Sequence, residues 1–266
     1  MHISCYGYLL CYIKCMQPVH LYKKLPQTNC GKCSASTCMA FAVQYLRQMI
    51  PLNECPELDE AARSELESMV SGDGDWKERR LQEMFREMSE TDFSKIAEQL
   101  GAREEEGVLR IRYMGNEVFL SHADVKGAVD IMDRLLIVMY VKRAASLPVT
   151  GKWVAFRELK DGIVRSESFQ GACEMALARM FEQGGDGFLH KLKVLGAEEV
   201  TGYPAPHSLL VYPLPKIPFL VLLWPADEEF GADCKVLLDA TAADYLDVET
   251  LLYLGIGLVR AVGSMK

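Results

Sequence analysis

The sequence predicts an α+β protein in two parts: a small helical module rich in cysteine, and a larger domain with antiparallel hairpins. Its 266 residues are enough for a small module and one domain of ordinary size. Four cysteines are concentrated between residues 30 and 55. After residue 80, strand and helix patterns alternate irregularly and include hairpins, which favours an α+β arrangement over a doubly wound sheet.

Residues 1–19 form an unusual N-terminal stretch. Its apolar part, 3–13, is too short for a transmembrane helix, and no cationic region of a secretory signal precedes it. We expect translation to begin at Met16. The alternatives are that these residues form a disordered tail, or that they have a second metal-binding or lipid-linked role. Three cysteines here have a spacing that matches no familiar ligand pattern: Cys5, Cys11 and Cys15.

The four concentrated cysteines have the spacing C-x2-C-x4-C-x16-C: Cys30, Cys33, Cys38 and Cys55. Four thiolates from so short a segment can be the ligands of one metal centre, and soft sulfur ligands without a nearby histidine point to iron–sulfur or zinc. Structural zinc sites usually combine two short cysteine pairs, whereas here three clustered cysteines precede a distant one. The spacing therefore favours a cubane 4Fe–4S cluster, with zinc and unligated or disulfide-bonded cysteines as alternatives.

The cysteine module, residues 20–70, is predicted to be helical. Apolar residues follow a helical period from the third cysteine, so an amphipathic helix should begin at Cys38 and end before Pro51. The amide groups of its first turn would face an anionic cluster. A second helix should run from Asp59, as its N-cap, to about Met69. The stripe of the first helix is Cys38, Phe41, Ala42, Tyr45, Leu46 and Met49.

The same segment resembles the small 4Fe–4S module of the corrinoid iron–sulfur protein, the gamma subunit of acetyl-CoA decarbonylase/synthase, and the related module of Rnf complex B subunits. The resemblance implies that the four cysteines hold one 4Fe–4S cluster. Relatives often carry glycine where this chain has Ser34, a change that removes no ligand. The matching positions are Leu25, Pro26, Thr28, Asn29, Cys30, Gly31, Cys33, Cys38, Phe41, Ala42, Cys55 and Pro56.

Residues 71–79 are predicted to link the module to the larger domain, 80–266, because 71–75 combine serine, glycine and aspartate between two helical patterns. The prolines between 213 and 218 are expected to exclude continuous central-strand pairing there. Helices are expected around 81–88, 93–100, 128–139, 173–181 and 247–262. A hairpin is expected over 107–121, and strands at 152–159, 209–212, 219–224 and 235–238.

The larger domain also resembles a known family, an uncharacterised one of anaerobic bacteria and archaea. The likeness is clearest over residues 212–251 and extends more loosely from about residue 80 to the C-terminus. Such domains commonly follow this kind of cluster module. The resemblance therefore implies two domains and an anaerobic host, and it implies no particular reaction.

Composition and charge limit the partners. The net charge of −8 argues against a nucleic-acid partner, whose phosphates favour a basic surface. No apolar run reaches the roughly 18 residues of a membrane span, so we expect a cytoplasmic protein without one. Lys23, Lys24 and Lys32 lie beside the cysteine loop and could dock an acidic redox partner, although a solvated face is the simpler interpretation.

Three consecutive carboxylates, Asp227, Glu228 and Glu229, follow a predicted strand. Carboxylates in such a place can bind a hard cation or perform acid–base chemistry, but a solvated or capping role is more common. No histidine pattern or phosphate loop accompanies them, so the sequence defines no catalytic residue. Further aspartates close in sequence are Asp233, Asp239 and Asp244.

Two other motifs are interpreted as structural. Gly255 and Gly257 begin a G-x-G pattern, but Arg260 occupies the position of the third glycine, so the dinucleotide-binding pattern fails. Cys173 lies on an apolar helical face and is predicted to be part of the core. Cys234 has no base close in sequence, so we do not expect a nucleophile there.

Three functions are compatible with the sequence. In the first, one 4Fe–4S cluster transfers single electrons to or from a redox protein or a metalloenzyme, including a corrinoid protein. In the second, the larger domain is an enzyme that the cluster feeds or stabilises. In the third, the cluster is structural or senses redox state. The first is our leading hypothesis.

Overall fold

The computed structural model describes residues 18–46, 50–128 and 130–265, which fall into two compact units. The first unit ends at Arg80 and the second begins at Leu81. The first is helical and contains the four concentrated cysteines, while the second combines helices with two antiparallel sheets, so the predicted α+β class is confirmed. Predictions for five residues lie outside the described ranges: Cys5, Cys11, Cys15, Met16 and Met49.

The described part of the first unit is built from helices and a 3-10 turn. In chain order these are α1 (Pro18–Tyr22), α2 (Cys38–Leu46), the turn Leu52–Glu54 and the part of α3 (Glu60–Glu87) up to Arg80. Helix α2 begins at Cys38 as predicted. The predicted N-cap of α3 is confirmed too, since the Asp59 carboxylate accepts a hydrogen bond from the amide of Ala62 at 2.7 Å. The unit has its own core: Leu21, Leu25, Phe41, Ala42, Leu52, Leu58 and Leu66.

Helix α3 runs through residues 71–75, where the sequence predicted an irregular break between two helices. Glycine lowers helix propensity by about 1 kcal/mol and aspartate by less, but propensity is a weak local preference. Strong helix formers on both sides of the segment outweigh it here. The division into residues 20–70, 71–79 and 80–266 stays a prediction.

The second unit contains a four-stranded antiparallel meander, in the order β1–β2–β3–β4. The predicted hairpin is its β2–β3 pair, in which Arg112 lies opposite Glu117. The turn needs glycine at Gly115, whose φ is +77° and where a Cβ would lie 2.7 Å from the carbonyl oxygen of Leu195. The unit's first elements are α4 (Phe93–Ile96), β1 (Arg103–Glu105), β2 (Val108–Tyr113), β3 (Asn116–Leu120) and β4 (Val125–Lys126).

A five-stranded antiparallel sheet has the order β5–β9–β8–β7–β6. Its strands are β5 (Trp153–Ala155), β6 (Glu198–Glu199), β7 (His207–Leu214), β8 (Ile217–Trp224) and β9 (Asp233–Asp239). Strands β7 and β8 extend into the proline-rich segment and include Pro213 and Pro218, but neither proline has a partner in the register, so continuous pairing is interrupted there as expected. The register shifts between Val211 and Leu214, and proline is tolerated at such a bulge because it need not donate a ladder hydrogen bond there.

Helix α10 (Val248–Ser264) explains the paired glycines of the failed dinucleotide pattern. A Cβ on Gly255 would lie 2.8 Å from the ring of Phe169, and one on Gly257 would lie 3.1 Å from the methyl group of Met114. Both glycines therefore allow close packing of the helix. The remaining helices are α5 (Ile131–Arg143), α6 (Ser166–Phe169), α7 (Met175–Gly184), α8 (Asp186–Val194), α9 (Ala242–Tyr245) and α10 (Val248–Ser264), with a π-helical turn, Gln170–Glu174, between α6 and α7.

A polar network joins β2, α5 and α10 inside the second unit. Asp133, which is only 2% exposed, accepts a hydrogen bond from the Tyr113 hydroxyl at 2.6 Å and forms an ion pair with Arg260. Arg260 also pairs with Asp130, the N-cap of α5. Burial and the adjacent Asp133 carboxylate raise the pKa of Tyr113 far above its ordinary value, so the phenol stays protonated and donates.

Asp239 is a fully buried carboxylate at the end of β9. It accepts hydrogen bonds from the amides of Thr150 at 2.9 Å, Gly151 at 2.6 Å and Thr241 at 3.0 Å, and from both threonine hydroxyls. Burial raises its pKa, but these hydrogen bonds lower it by more, so the pKa lies below its ordinary value. Asp239 thus fixes the segment that precedes β5.

We expect Asp239→Asn to lower the free energy of unfolding by about 2 kcal/mol at neutral pH, because the amide loses charge-assisted hydrogen bonds. Since the folded-state pKa lies below the ordinary value of 3.8, the carboxylate's contribution is complete above that value and is lost as the pH falls below it. Denaturant unfolding of both proteins over a pH series should show a difference that shrinks in acid. The exposed Asp244→Asn is the control, and a pH-independent difference would contradict the assignment.

Candidate metal centre

The four concentrated cysteines line one cleft in the first unit. Cys30 and Cys33 come from the loop between α1 and α2, Cys38 is the first residue of α2, and Cys55 follows the turn Leu52–Glu54. Cys30 is exposed and Cys33 is half-buried, whereas Cys38 and Cys55 are buried. The fold therefore places the distant fourth cysteine along the same cleft as the other three, with Cys30 exposed and Cys38 and Cys55 buried.

The donors in this cleft suit an iron–sulfur cluster. All six cysteines among the described residues are free thiols, and four of them are these. Thiolates are the ligands that such clusters prefer. In the ranges that the structure describes, no three His, Cys, Asp or Glu side chains form a group that could hold a metal ion, so the assignment of the four cysteines as ligands stays a prediction.

The loop before α2 has a tight backbone supported by its own side chains. Asn29 and Gly31 adopt left-handed conformations, with φ of 46° and 67°, which asparagine and glycine do at low cost. The Asn29 side-chain oxygen accepts a hydrogen bond from the Cys38 amide at 2.8 Å, and the Thr37 hydroxyl accepts one from the Ala40 amide at 3.0 Å. The first-turn amides were expected to face a cluster, but those of Cys38 and Ala40 donate to side chains of the loop instead.

Two side-chain contacts join this loop to the segment of the fourth cysteine. The Ser34 hydroxyl donates to the Glu54 carboxylate at 2.5 Å, and the Lys32 ammonium group pairs with Glu57 at 2.6 Å. Glu54 and Glu57 lie on either side of Cys55 in sequence, so both contacts hold that segment against the loop. Ser34 therefore makes a contact that a glycine at this position could not make.

Cys55 is held by its backbone and by Arg63. Its amide donates to the Leu52 carbonyl at 3.2 Å, and its carbonyl accepts a hydrogen bond from the Arg63 Nη2 at 3.2 Å. Burial raises the pKa of its thiol; backbone amides partly offset this, and the neighbouring Cys33 and Cys38 raise it further. Thiolates in such a place need compensating positive charge, which a bound metal centre supplies.

The lysines beside the loop are mostly paired. Lys24 pairs with Glu65 at 2.8 Å and Lys32 with Glu57 at 2.6 Å, both at exposed positions, while Lys23 is exposed. Exposed pairs contribute little to stability and their charges partly cancel. For two of the three lysines, a solvated face is therefore the better interpretation.

The carboxylates after β8 are accounted for by local structure. The Asp227 carboxylate accepts hydrogen bonds from the amides of Glu229 and Phe230, both at 2.8 Å, and these lower its pKa. Asp227, Glu228 and Glu229 are all exposed. This is a carboxylate that caps its own turn, the simpler of the two interpretations that the sequence allowed.

The two cysteines of the second unit are core residues. Cys173 is 0% exposed, which confirms its predicted place in the core, and Cys234 is 3% exposed. Burial raises the pKa of both thiols well above the ordinary range. Since the thiolate is the nucleophilic form, neither thiol is activated for chemistry.

Sequence reasoning missed the residues that hold the cleft together: Asn29, Glu54, Glu57 and Arg63. An asparagine beside a glycine in a short loop is a recognisable signal for a left-handed turn, so the role of Asn29 was detectable. The other three act through contacts between segments separated by 8 to 25 residues, which have no characteristic spacing.

The fold and the cleft define a class of protein, one with a small cysteine-rich helical module followed by a larger α+β domain. Residues 25–57 match the family described as "Putative Fe-S cluster". Residues 92–261, more than half of the chain, match the domain of unknown function DUF3786. The chain belongs to the DUF3786 family.

The module is also similar to a part of several curated proteins. Acetyl-CoA decarbonylase/synthase complex subunit gamma of Methanothermobacter thermautotrophicus is 41% identical over 51 residues, 19% of this chain and 11% of that protein. Corrinoid/iron-sulfur protein large subunit of Moorella thermoacetica is 40% identical over 53 residues, 20% of this chain and 12% of that protein. The chain thus spans about a tenth of the length of these relatives.

No solved structure has significant similarity to this chain. Among the residues described here, no helix is both long enough and apolar enough to cross a membrane.

Proposed function

We propose that this protein binds one 4Fe–4S cluster through Cys30, Cys33, Cys38 and Cys55 and uses it to transfer single electrons to or from a protein partner. The observation that carries the proposal is the shared cleft, lined by four free cysteines with three-plus-one spacing. The match of residues 25–57 to an iron–sulfur family supports it. When bound, such a cluster supplies one-electron redox chemistry.

The exposure of the cysteines suggests how the site works. Cys38 and Cys55 are 9% and 6% exposed and belong to the core of the first unit, so they form the inner wall of the cleft and exclude water from it. Cys30 lies at the solvent side. A partner would approach at Cys30, because the electron path to the protein surface is shortest there.

The partner in this proposal is a redox protein or a metalloenzyme. The relatives of the module are named as subunits of an acetyl-CoA decarbonylase/synthase complex and of a corrinoid/iron-sulfur protein. A corrinoid-linked partner, in the cytoplasm of an anaerobe, is therefore the specific form of the proposal. The larger domain would serve as the docking module.

A structural or redox-sensing cluster is the second candidate. It is favoured by the membership of Cys38 and Cys55 in the small core of the first unit, since metal-binding energy in such a module is also folding energy. An enzyme active site in the larger domain is a further alternative, and the exposed, turn-capping Asp227 gives it no support.

We expect anaerobic purification to give a brown protein with about four irons and four sulfides per chain, bleached by air. Electron paramagnetic resonance should show a signal that appears on reduction and disappears when an oxidised partner is added. Stoichiometric zinc without iron would contradict the cluster. A cluster that is present but cannot be reduced would contradict electron transfer and would favour the structural role.

A further inference from the structure

Arg63 lies in the first turn of α3 and reaches the segment of the fourth cysteine. Its Nη2 donates a hydrogen bond to the Cys55 carbonyl at 3.2 Å, while its Nε is buried and has no partner. Within the described residues, no ion pair joins this guanidinium group to a carboxylate. Arg63 is thus a cation that the surrounding protein only partly compensates.

Such an arrangement is costly unless negative charge lies nearby. A buried donor without an acceptor costs about 1–3 kcal/mol, and a cation that is partly withdrawn from water needs a counter-charge. The hydrogen bond to the Cys55 carbonyl places the guanidinium group beside one of the two buried cysteines of the cleft. An anionic thiolate-ligated centre in that cleft would supply the missing charge.

We infer that Arg63 is the charge partner of the proposed cluster and raises its midpoint potential. The inference rests on the proposed function. One-electron reduction, by a protein partner or a chemical reductant, adds one negative charge to the centre. A nearby cation therefore stabilises the reduced form more than the oxidised form, and net charge is one of the factors that set such potentials.

Lys32 provides the contrast. It lies in the cysteine loop itself, but its side chain is 61% exposed and paired with Glu57 at 2.6 Å. Water screens its charge and the carboxylate neutralises it, so its effect on the centre should be far smaller. Arg63 acts as a positioning residue through a half-buried charge that no carboxylate of the described residues neutralises, which the exposed and paired lysine does not reproduce.

The test compares Arg63→Gln, Arg63→Lys and Lys32→Gln with the wild type, each as the full chain. Iron and sulfide are measured first, and midpoint potentials are then determined by redox titration followed by electron paramagnetic resonance. We expect Arg63→Gln to shift the midpoint potential to a more negative value and Arg63→Lys to shift it less. Lys32→Gln should leave it close to the wild-type value.

An unchanged or higher midpoint potential in an iron-replete Arg63→Gln variant would overturn the inference, as would an equal shift in Lys32→Gln. If Arg63→Gln loses its iron, the iron content of Arg63→Lys distinguishes a charge role from a structural one. Retention of wild-type iron in Arg63→Lys supports the charge role, whereas loss of iron in both variants assigns Arg63 a purely structural hydrogen bond. Absence of iron from the wild type would instead overturn the proposed function.

Discussion

Cys38→Ser is expected to abolish cluster binding and to unfold the cysteine module, residues 20–70. A serine hydroxyl is a poor ligand for a soft iron–sulfur centre, and Cys38 is itself part of the buried core of the first unit. That core is small, so the module should depend on metal-binding energy for its folding. Iron content should fall to near zero, and hydrogen exchange resolved by segment should show loss of amide protection across 20–70.

The larger domain should survive this substitution. It has a separate and much larger core, so its free energy of unfolding should change by no more than about 0.5 kcal/mol. Cys173→Ala is the matched control, because it removes a buried cysteine of the second unit and should leave the iron content unchanged. Protection lost evenly across both regions would mean one shared core, and the docking-module proposal would then give way to a single domain with a structural cluster.

Arg260→Leu is expected to lower the free energy of unfolding of the larger domain by about 3 kcal/mol. Arg260 is itself 41% exposed, but its partner Asp133 is only 2% exposed, so the substitution leaves a buried carboxylate without its cation. An uncompensated buried charge is far more costly than the loss of an exposed pair. The Tyr113 hydroxyl still donates to Asp133, but a neutral donor compensates the charge only in part. Denaturant unfolding followed by circular dichroism measures the change.

Arg110→Leu is the control for this prediction. Arg110 pairs with Glu117 at the surface of β2, so its loss should cost no more than about 1 kcal/mol. Adding Asp133→Asn to Arg260→Leu should recover part of the lost stability, since a neutral side chain needs no cationic partner. Equal losses in the two arginine variants would show that the Asp133 network contributes no more than a surface pair.

Local patterns predicted the first unit well. The start of α2 at Cys38 and the N-cap at Asp59 were both read from spacing and residue type, because helical periodicity and capping involve residues only three or four positions apart. The gathering of four cysteines in one cleft agrees with the same kind of signal. Their spacing requires a compact loop, and Asn29 and Gly31 have the left-handed backbone that permits one.

Local patterns were less reliable where neighbouring structure decides. Helix α3 continues through 71–75 although the composition there predicts a break. The preference of a few residues is small compared with the stability of the helix that contains them. The prolines, by contrast, interrupt the pairing of β7 and β8 as expected, because a proline cannot donate a ladder hydrogen bond.

The sequence by itself determined the two-part α+β organisation, the cysteine array and its iron–sulfur interpretation, because all of these depend on residue type and spacing along the chain. Only the tertiary structure decided that Arg63 contacts Cys55, that Ser34 contacts Glu54, and that Arg260 pairs with Asp133. Those contacts form between elements whose relative positions are set by the packing of apolar side chains. A different packing of the same elements would give these residues other neighbours. The partner of a charged residue is therefore determined by the packing of the core, and a local sequence pattern does not predict it.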